Sequence, residues 1–238
     1  LRGFAGDTLA SALLANGTRL VGRSFKYHRP RGILTAGSEE PNALLEVLRD
    51  GAFHPNVRAT MQELHVGLEA RPQNCWPSVR HDIMAANDLL APFLGAGFYY
   101  KTFMWPRRFW EGVYEPLIRR AAGLGRLPDN APTAPHEKAF AFCDLLVIGS
   151  GPAGLMAALA AGRAGIDVIL CEEDREMGGR LLSDRGQIDE MQGTQWASGV
   201  LAELVSLPNV RLMPRTSIFS VYDGGVYGAL ERVSLHQA

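Results

Sequence analysis

Residues 143–154 read Cys143-Asp-Leu-Leu-Val-Ile-Gly149-Ser-Gly151-Pro-Ala-Gly154, and this stretch decides the fold of the second half of the chain. An apolar run leads directly into glycines spaced as G-x-G-x-x-G. The first glycine permits a sharp turn from strand into helix, the second lets the backbone approach a diphosphate, and the third lets the helix pack close to the strand. The helix then points free N–H groups and the positive end of its dipole at that diphosphate. The stretch therefore predicts a Rossmann-like βαβ unit that binds a dinucleotide.

The residues that follow strengthen this prediction. The apolar run 167–171 predicts a neighbouring parallel strand, and Glu172 stands at its carboxyl end, 18 residues past Gly154. A carboxylate there can accept hydrogen bonds from ribose hydroxyls and would repel a 2′-phosphate, which favours NAD or FAD over NADP. Gly178-Gly179-Arg180 begins six residues after Glu172, a spacing typical of flavoproteins with two dinucleotides. The motif alone does not distinguish NAD from FAD.

The candidate cofactor-binding residues lie in the glycine loop, at the acidic strand end, in the second glycine pair and on one later strand. They are Gly149, Gly151, Pro152, Ala153, Gly154, Glu172, Glu173, Asp174, Gly179, Arg180 and Ile218. We expect Glu173 and Asp174 to lie near the adenosine or in solvent, and Arg180 to pair with the diphosphate or lie on the surface. Ile218 is predicted to make a backbone contact with adenine. No catalytic residue is predicted, and the scattered histidines show no metal-ligand spacing.

Composition indicates a globular protein with two modest domains. The chain has 238 residues, of which 47% are hydrophobic and 21% charged, and its net charge of −1 gives no bias toward nucleic acid or membrane. Glycines and prolines with few large apolar residues predict a linker over 123–140. We therefore predict a first domain over 1–122 and a dinucleotide-binding domain over 141–238, incomplete at its C-terminus. Leu rather than Met at position 1 indicates a piece of a longer polypeptide.

The location is predicted from the cysteines and the apolar stretches. Three widely spaced cysteines and no signal peptide favour a reducing, cytoplasmic compartment. The longest charge-free stretch, near 89–100, is too short to span a bilayer.

In the first half, residues 7–17 predict a helix with Asp7 as its N-cap, and residues 59–68 predict a strand. Residues 43–49 suit either a strand or a helix. The loop 19–31 carries five basic residues interleaved with aromatic ones. Such a loop can bind single-stranded nucleic acid, but in a neutral chain it is more often a contact with another subunit or domain. A non-enzymatic interaction module is therefore one alternative hypothesis.

Several strings resemble a known family. Arg23-Ser-Phe-Lys-Tyr-His-Arg-Pro-Arg-Gly32, together with residues 6–17, 39–43, 98–106 and 223–231, is similar to the alpha subunits of heterotetrameric sarcosine oxidases. The resemblance implies an N-terminal α+β domain with the β-grasp fold of a [2Fe–2S] ferredoxin, followed by a partial α/β, Rossmann-like FAD/NAD-binding domain. Residues 23–42 contain no cysteine to hold a cluster. We therefore predict a β-grasp domain without an iron–sulfur cluster, used as scaffold and interface.

The resemblance also implies an activity for the whole complex. In that family the complex demethylates sarcosine oxidatively to glycine, releases hydrogen peroxide and passes the one-carbon unit to tetrahydrofolate. The beta subunit holds FAD, FMN lies between alpha and beta, and alpha binds NAD without an evident redox role. Beta, gamma and delta subunits are the implied partners, without nucleic acid or membrane. The chain is then part of an oxidoreductase that acts on CH–NH groups, inactive alone and lacking the folate-binding part.

The sequence leaves two enzymatic alternatives. A component of a related FAD- or NAD-dependent opine or hydroxyproline dehydrogenase would share the same architecture. A self-sufficient reductase is disfavoured, because only about 70 residues follow the first βαβ unit, too few for a second dinucleotide domain and an active site.

Overall fold

The computed structural model of the chain describes residues 1–49, 51–98, 103–125, 127 and 137–233. These residues fall into two compact units, one within 1–135 and the other within 136–237. Most of the linker predicted over 123–140 lies outside the described residues. Across the described ranges, no helix is both long enough and apolar enough to cross a membrane.

The first unit combines small antiparallel sheets with short helical segments. Its helical segments are α1 (Leu9–Ala15), 3₁₀ helices at Ile83–Leu90 and Arg107–Phe109, and a π-helical turn at Trp110–Tyr114 that continues into α2 (Glu115–Ala122). Its strands are β1 (Gly22–Arg23), β2 (Pro30–Arg31), β3 (Leu44–Arg49), β4 (Ala52–Arg58) and β5 (Ala70–Pro72).

Strand β3 is the centre of the larger sheet in this unit. It pairs antiparallel with β4 on one side and β5 on the other, while β1 and β2 form a separate hairpin. Buried apolar side chains of α1 and β3 meet in one cluster that includes Leu9, Leu45 and Ala59. The ambiguous segment 43–49 is thus a strand, because its alternate side chains point into this core.

Two predictions in the first unit are wrong in detail. The N-cap of α1 is Thr8, whose hydroxyl accepts from the N–H of Ser11, whereas Asp7 accepts from the N–H of Phe4. The segment 59–68 is a series of turns rather than a strand. Its buried Thr60 and Gln62 bond within the unit instead of joining a ladder, and the carbonyl of Gln62 accepts from the first residue of α1.

The second unit is a parallel sheet with two helices. The sheet strands are β6 (Leu145–Ile148), β7 (Val168–Cys171) and β10 (Val210–Met213), and the helices are α3 (Pro152–Arg163) and α4 (Gly193–Ser206). A 3₁₀ helix at Gly179–Leu182, a hairpin of β8 (Gln187–Ile188) and β9 (Met191–Gln192), and a hairpin of β11 (Thr216–Tyr222) and β12 (Val226–Glu231) complete it.

The middle strand of the parallel sheet is β7, in the order β10–β7–β6. All four of its residues are buried, which explains why its sequence is a continuous apolar run. Apolar residues of β7, α3 and α4 pack in one core, with Leu155, Leu170 and Leu204 fully buried. This core fixes β6, α3 and β7 as the βαβ unit that the sequence predicted.

Candidate dinucleotide site

The turn from β6 into α3 has an open side. Gly149 follows β6 with φ +92°, a left-handed conformation that favours glycine, and its N–H bonds the carbonyl of Cys171 at 2.8 Å. Gly151 is the N-cap of α3, and Pro152 and Ala153 that follow it are exposed. A Cβ placed on Gly149 or Gly151 would meet no atom within 4 Å. The backbone here is therefore accessible to a ligand as large as a diphosphate.

Gly154 serves the fold rather than the ligand. A Cβ at this position would lie 1.9 Å from the carbonyl oxygen of Gly149. A Cβ on Gly179, in the second glycine pair, would lie 3.1 Å from the Cα of Gly151. Both contacts show that backbone packs directly on backbone around the loop. The turn at Gly149 and the close packing at Gly154 have the geometry that the motif predicts, and the approach of a diphosphate to Gly151 stays a prediction.

The N-terminus of α3 is electrostatically suited to an anion. Among the described residues, no side chain caps this helix, so the N–H groups of Ala153 and Gly154 point outward without a side-chain acceptor. The first turn also lacks an acidic residue. Free N–H groups and the positive dipole end together favour a bound phosphate.

Ser150, which is not among the residues predicted for the site, connects the glycine loop to two other segments through hydrogen bonds. It is fully buried, and both its N–H and its hydroxyl donate to Oε2 of Glu172, at 2.8 and 2.6 Å. Its hydroxyl oxygen also accepts from the N–H of Gly178 at 3.0 Å. One serine thus joins the glycine loop, the end of β7 and the second glycine pair. The sequence signal for this role is no more than a hydroxyl residue between the first two glycines of the motif.

Glu172 faces the loop from inside. The residue is 7% exposed, Oε2 holds Ser150, and Oε1 accepts from the N–H of Asp174 at 3.1 Å. Both carboxylate oxygens therefore already have partners within the chain. The contact of Glu172 with a ribose stays a prediction. In addition, the Glu172 carboxylate holds the glycine loop in place through its two hydrogen bonds from Ser150.

Glu173 and Asp174 surround the same edge of the sheet. Glu173 is half-buried, and its backbone carbonyl accepts from the Arg232 guanidinium, while the side chain has no hydrogen-bond partner among the described residues. Partial desolvation of the Asp174 carboxyl, together with the negative charges of Glu172 and Glu173, raises the pKa of Asp174 to about 6. This edge is consequently rich in negative charge, which the nearby Arg232 offsets in part.

The remaining residues predicted for the site are Arg180 and Ile218. The Arg180 side chain is 87% exposed and forms an ion pair with Asp184 at 3.6 Å, and its pairing with a diphosphate stays a prediction. Ile218 is half-buried in β11 opposite Ala229. The start of β11 bonds the end of β7, since the N–H of Thr216 donates to the Glu172 carbonyl at 2.7 Å. A contact of Ile218 with adenine stays a prediction.

The basic loop 19–31 is largely engaged within its own unit. Arg23 donates to the carbonyls of Val79, His28 and Arg80, and Lys26 donates to the carbonyl of Gly95. Arg29 forms an ion pair with Asp88 at 2.7 Å. Three of the five cations therefore have internal partners, but only Arg29 is neutralised by a carboxylate, and the interaction-module hypothesis stays a prediction.

Comparison with known proteins gives the class of each unit. Residues 144–217 match the family described as FAD dependent oxidoreductase, and residues 1–75 match the 2Fe-2S iron-sulfur cluster binding domain. The L-proline dehydrogenase of P. horikoshii aligns with 96% of this chain and 34% of its own, with a TM-score of 0.55 and 18% identity. The predicted fold class, a ferredoxin-like domain followed by a dinucleotide-binding domain, is confirmed.

Sequence relatives make the comparison more specific. The sarcosine oxidase alpha subunit of Rhizobium meliloti (strain 1021) is 62% identical over 99% of this chain, and that of Corynebacterium sp. (strain U-96) is 34% identical over 99%. One component of the opine oxidase of Agrobacterium tumefaciens (strain Ach5) is 35% identical over 34% of the chain. The chain spans about a quarter of the length of the first relative and a fifth of the second. The resemblance to sarcosine oxidase alpha subunits is thereby confirmed.

The iron–sulfur match does not fit the residues present. The matched range 1–75 contains one cysteine, Cys75, at its very end, whereas a cluster of this kind takes four ligands. Burial raises the pKa of the Cys75 thiol, with Asp82 as a further cause, which disfavours a metal-binding thiolate. Among the described residues, no group of three or more His, Cys, Asp or Glu side chains is placed to hold a metal ion.

Proposed function

We propose that this chain is the dinucleotide-binding part of the alpha-type component of a multi-subunit oxidase acting on CH–NH bonds, with sarcosine as substrate of the whole enzyme. The similarity to two sarcosine oxidase alpha subunits over 99% of the chain supports the reaction class. The observation that carries the binding role is the open backbone at Gly149 and Gly151 beside the uncapped N-terminus of α3.

The chain's own residues fit a diphosphate. The loop of Gly149, Gly151, Pro152, Ala153 and Gly154 presents N–H groups and no obstructing side chain. Gly179 packs against this loop, and Ser150 with Glu172 holds both glycine segments in register. The phosphate oxygens would accept from the helix N-terminus, because it has positive partial charge and free donors.

Glu173 is proposed as the ribose-binding carboxylate, and Glu172 as the residue that positions the loop. Both carboxylate oxygens of Glu172 already accept hydrogen bonds from Ser150 and Asp174. The half-buried Glu173 carboxylate, which has no side-chain partner among the described residues, is left to accept from ribose hydroxyl groups. Its charge would repel a 2′-phosphate, and the nucleotide is therefore NAD or FAD.

We propose NAD as the nucleotide. FAD is the alternative, because residues 144–217 match the FAD dependent oxidoreductase family. Either would supply hydride-accepting chemistry when bound. The described loop residues offer N–H donors, one buried carboxylate and glycines, which are groups suited to binding a nucleotide. The role proposed for the chain is therefore binding rather than catalysis. Flavin chemistry, including FMN at the contact with a beta subunit, and folate chemistry are assigned to the rest of a cytoplasmic complex with beta, gamma and delta subunits.

The test identifies the nucleotide directly. The full-length protein is purified with its co-expressed partners, denatured, and the released nucleotides are identified by mass spectrometry. We expect NAD in a one-to-one ratio with this chain. We also expect Glu173→Arg to lower its retention by about tenfold or more, the effect of losing about 1.4 kcal/mol. Glu176→Arg, at an exposed position on the same segment, is the matched control and should retain NAD.

The outcomes separate the alternatives. FAD as the only nucleotide bound to this chain would overturn the choice of NAD but keep the site. Equal retention in Glu173→Arg and wild type would remove Glu173 from the ribose contact. Full retention in Gly151→Val would contradict the site itself, because that side chain would occupy the space proposed for the diphosphate.

A second candidate substrate class is supported by the partial match to an opine oxidase. The complete complex can be assayed for oxygen consumption with sarcosine, an opine and hydroxyproline at equal concentration. We expect sarcosine to give the highest kcat/KM. A preference for either of the others would move the enzyme to the opine or hydroxyproline relatives while leaving the dinucleotide site unchanged.

A further inference from the structure

A buried carboxylate organises the loop that follows the basic segment of the first unit. Glu40 is 1% exposed, and its Oε2 accepts from the N–H groups of Leu34 and Thr35 at 2.8 and 2.7 Å. Its Oε1 accepts from the N–H groups of Asn42 and Ala43 at 2.8 and 3.0 Å. Four backbone donors from both arms of one loop therefore converge on a single anion.

The acceptor capacity of Glu40 is used almost completely. A carboxylate offers about four lone-pair directions, and the four N–H groups are joined by the Thr35 hydroxyl at 3.3 Å. No ion pair involves Glu40 among the described residues, so its negative charge is stabilised by backbone N–H groups and the Thr35 hydroxyl. Concave sets of N–H groups of this type bind anions, including iron–sulfur clusters.

The loop that Glu40 organises lies in the part of the chain that matches an iron–sulfur cluster binding domain. The matched range is 1–75, and residues 23–42, where a cluster would need cysteines, contain none. In cluster proteins the cysteine ligands hold the cluster, and hydrogen bonds to its sulfurs tune it. Here the N–H groups of the loop already have an acceptor that is part of the chain.

We propose that Glu40 is a built-in anion that replaces an iron–sulfur cluster as the organiser of the loop 34–43. The carboxylate supplies the negative charge toward which the loop's N–H groups point, and the loop closes without metal. The Ala43 end of the loop then enters the core, where Ala43 is fully buried and its carbonyl accepts from Ala59. The inference is independent of the function proposed for the second unit.

The protonation behaviour of Glu40 agrees with this geometry. Burial alone would raise the pKa of Glu40, but hydrogen bonds from the N–H groups of Thr35, Asn42, Leu34 and Ala43 outweigh it, and the pKa lies below its ordinary 4.5. The folded state therefore binds this proton more weakly than the unfolded chain does. Its stabilising effect is present above pH 4.5 and is lost as the pH falls through the lower, folded-state pKa.

The first experiment offers a cluster to the protein. Full-length wild type and Cys75→Ser are incubated anaerobically with ferrous iron and sulfide and then desalted. Bound iron, acid-labile sulfide and visible circular dichroism are measured. We expect wild type and variant to behave identically, with no cluster held by this unit. Two irons and two sulfides in wild type that are lost in Cys75→Ser would overturn the proposal.

The second experiment tests the carboxylate itself. Amide hydrogen exchange of peptides covering 33–44 is compared in wild type, Glu40→Gln and Glu39→Gln, each corrected for its intrinsic rate. Since Gln offers one acceptor oxygen for four donors, we expect exchange to accelerate about tenfold or more in Glu40→Gln. Glu39, its exposed neighbour, should tolerate the same change with rates within about twofold of wild type.

If Glu40→Gln fails to fold, the pH dependence of amide exchange in the wild-type protein tests the same role of Glu40. Protection of these peptides should weaken as the pH falls below 4.5. Protection that is unchanged from pH 6 to pH 3, or equal rates in the two glutamine variants, would show that the carboxylate does not hold the loop.

Discussion

At the scale of single residues, two glycines of one loop lack a side chain for different reasons: one leaves space for a ligand, and the other allows close packing of the backbone. A Cβ on Gly151 would project into open space, whereas a Cβ on Gly154 would collide with the Gly149 carbonyl. The sequence motif predicts both glycines, because their need follows from local backbone geometry. It does not predict the connecting role of Ser150, since that role depends on which carboxylate folds beneath the loop.

The two glycines can be separated by the same substitution. Gly151→Ala should leave the unit folded, because Gly151 has φ −63° and free space around its Cβ, yet it should weaken dinucleotide binding about tenfold. Gly154→Ala should instead destabilise the second unit by roughly 1–3 kcal/mol, the usual cost of overpacking. Denaturant-dependent amide exchange of peptides from the second unit measures the stability, and calorimetric NAD titration measures the binding. Equal loss of stability in both variants would contradict this division.

At the scale of elements, the strands and helices of the second unit are predictable from sequence. The continuous apolar run of β7 and the small residues of α3 each indicate one structure. The segment 59–68 shows the limit, since its apolar residues suggested a strand while Thr60 and Gln62 bond within the unit. Likewise, two consecutive carboxylates follow β7, and only the fold determines that Glu172 rather than Glu173 faces inward.

The hydrogen bonds of Glu172, which join the end of β7 to the glycine loop, lead to a second prediction. Glu172→Gln keeps the shape of the side chain but replaces a charged acceptor of three hydrogen bonds with a neutral one. We expect the second unit to lose about 1.5–3 kcal/mol and the dinucleotide to bind more weakly. Glu176→Gln is the matched control, because its side chain is 62% exposed. Unfolding in urea and NAD titration of the three proteins provide the measurement, and a Glu172→Gln protein as stable as the control would contradict this role of Glu172.

At the scale of the whole molecule, the two units should respond to pH in opposite directions. The Asp174 pKa of about 6 exceeds its ordinary 3.8, so the folded second unit binds this proton more tightly than the unfolded chain does. Its stability should fall as the pH rises from about 4 to about 6. Glu40, with its lowered pKa, has the reverse effect on the first unit below pH 4.5.

Amide exchange measured separately for the core peptides of each unit checks this prediction. Protection should increase between pH 3 and pH 5 in peptides from 9–59. In peptides from 155–204 it should decrease modestly between pH 4 and pH 7. The second effect is small because Asp174 remains partly exposed to solvent, and Asp174→Asn should abolish it. A decrease that persists in Asp174→Asn would assign the effect to another group.

The carboxylate inside the first unit also bears on how the protein is made. An inorganic centre has to be assembled elsewhere, delivered and kept reduced or oxidised as required, whereas Glu40 arrives with the polypeptide during synthesis. On the role proposed for Glu40, closure of the loop does not depend on the supply of iron, and it should not be sensitive to oxidants that destroy iron–sulfur clusters.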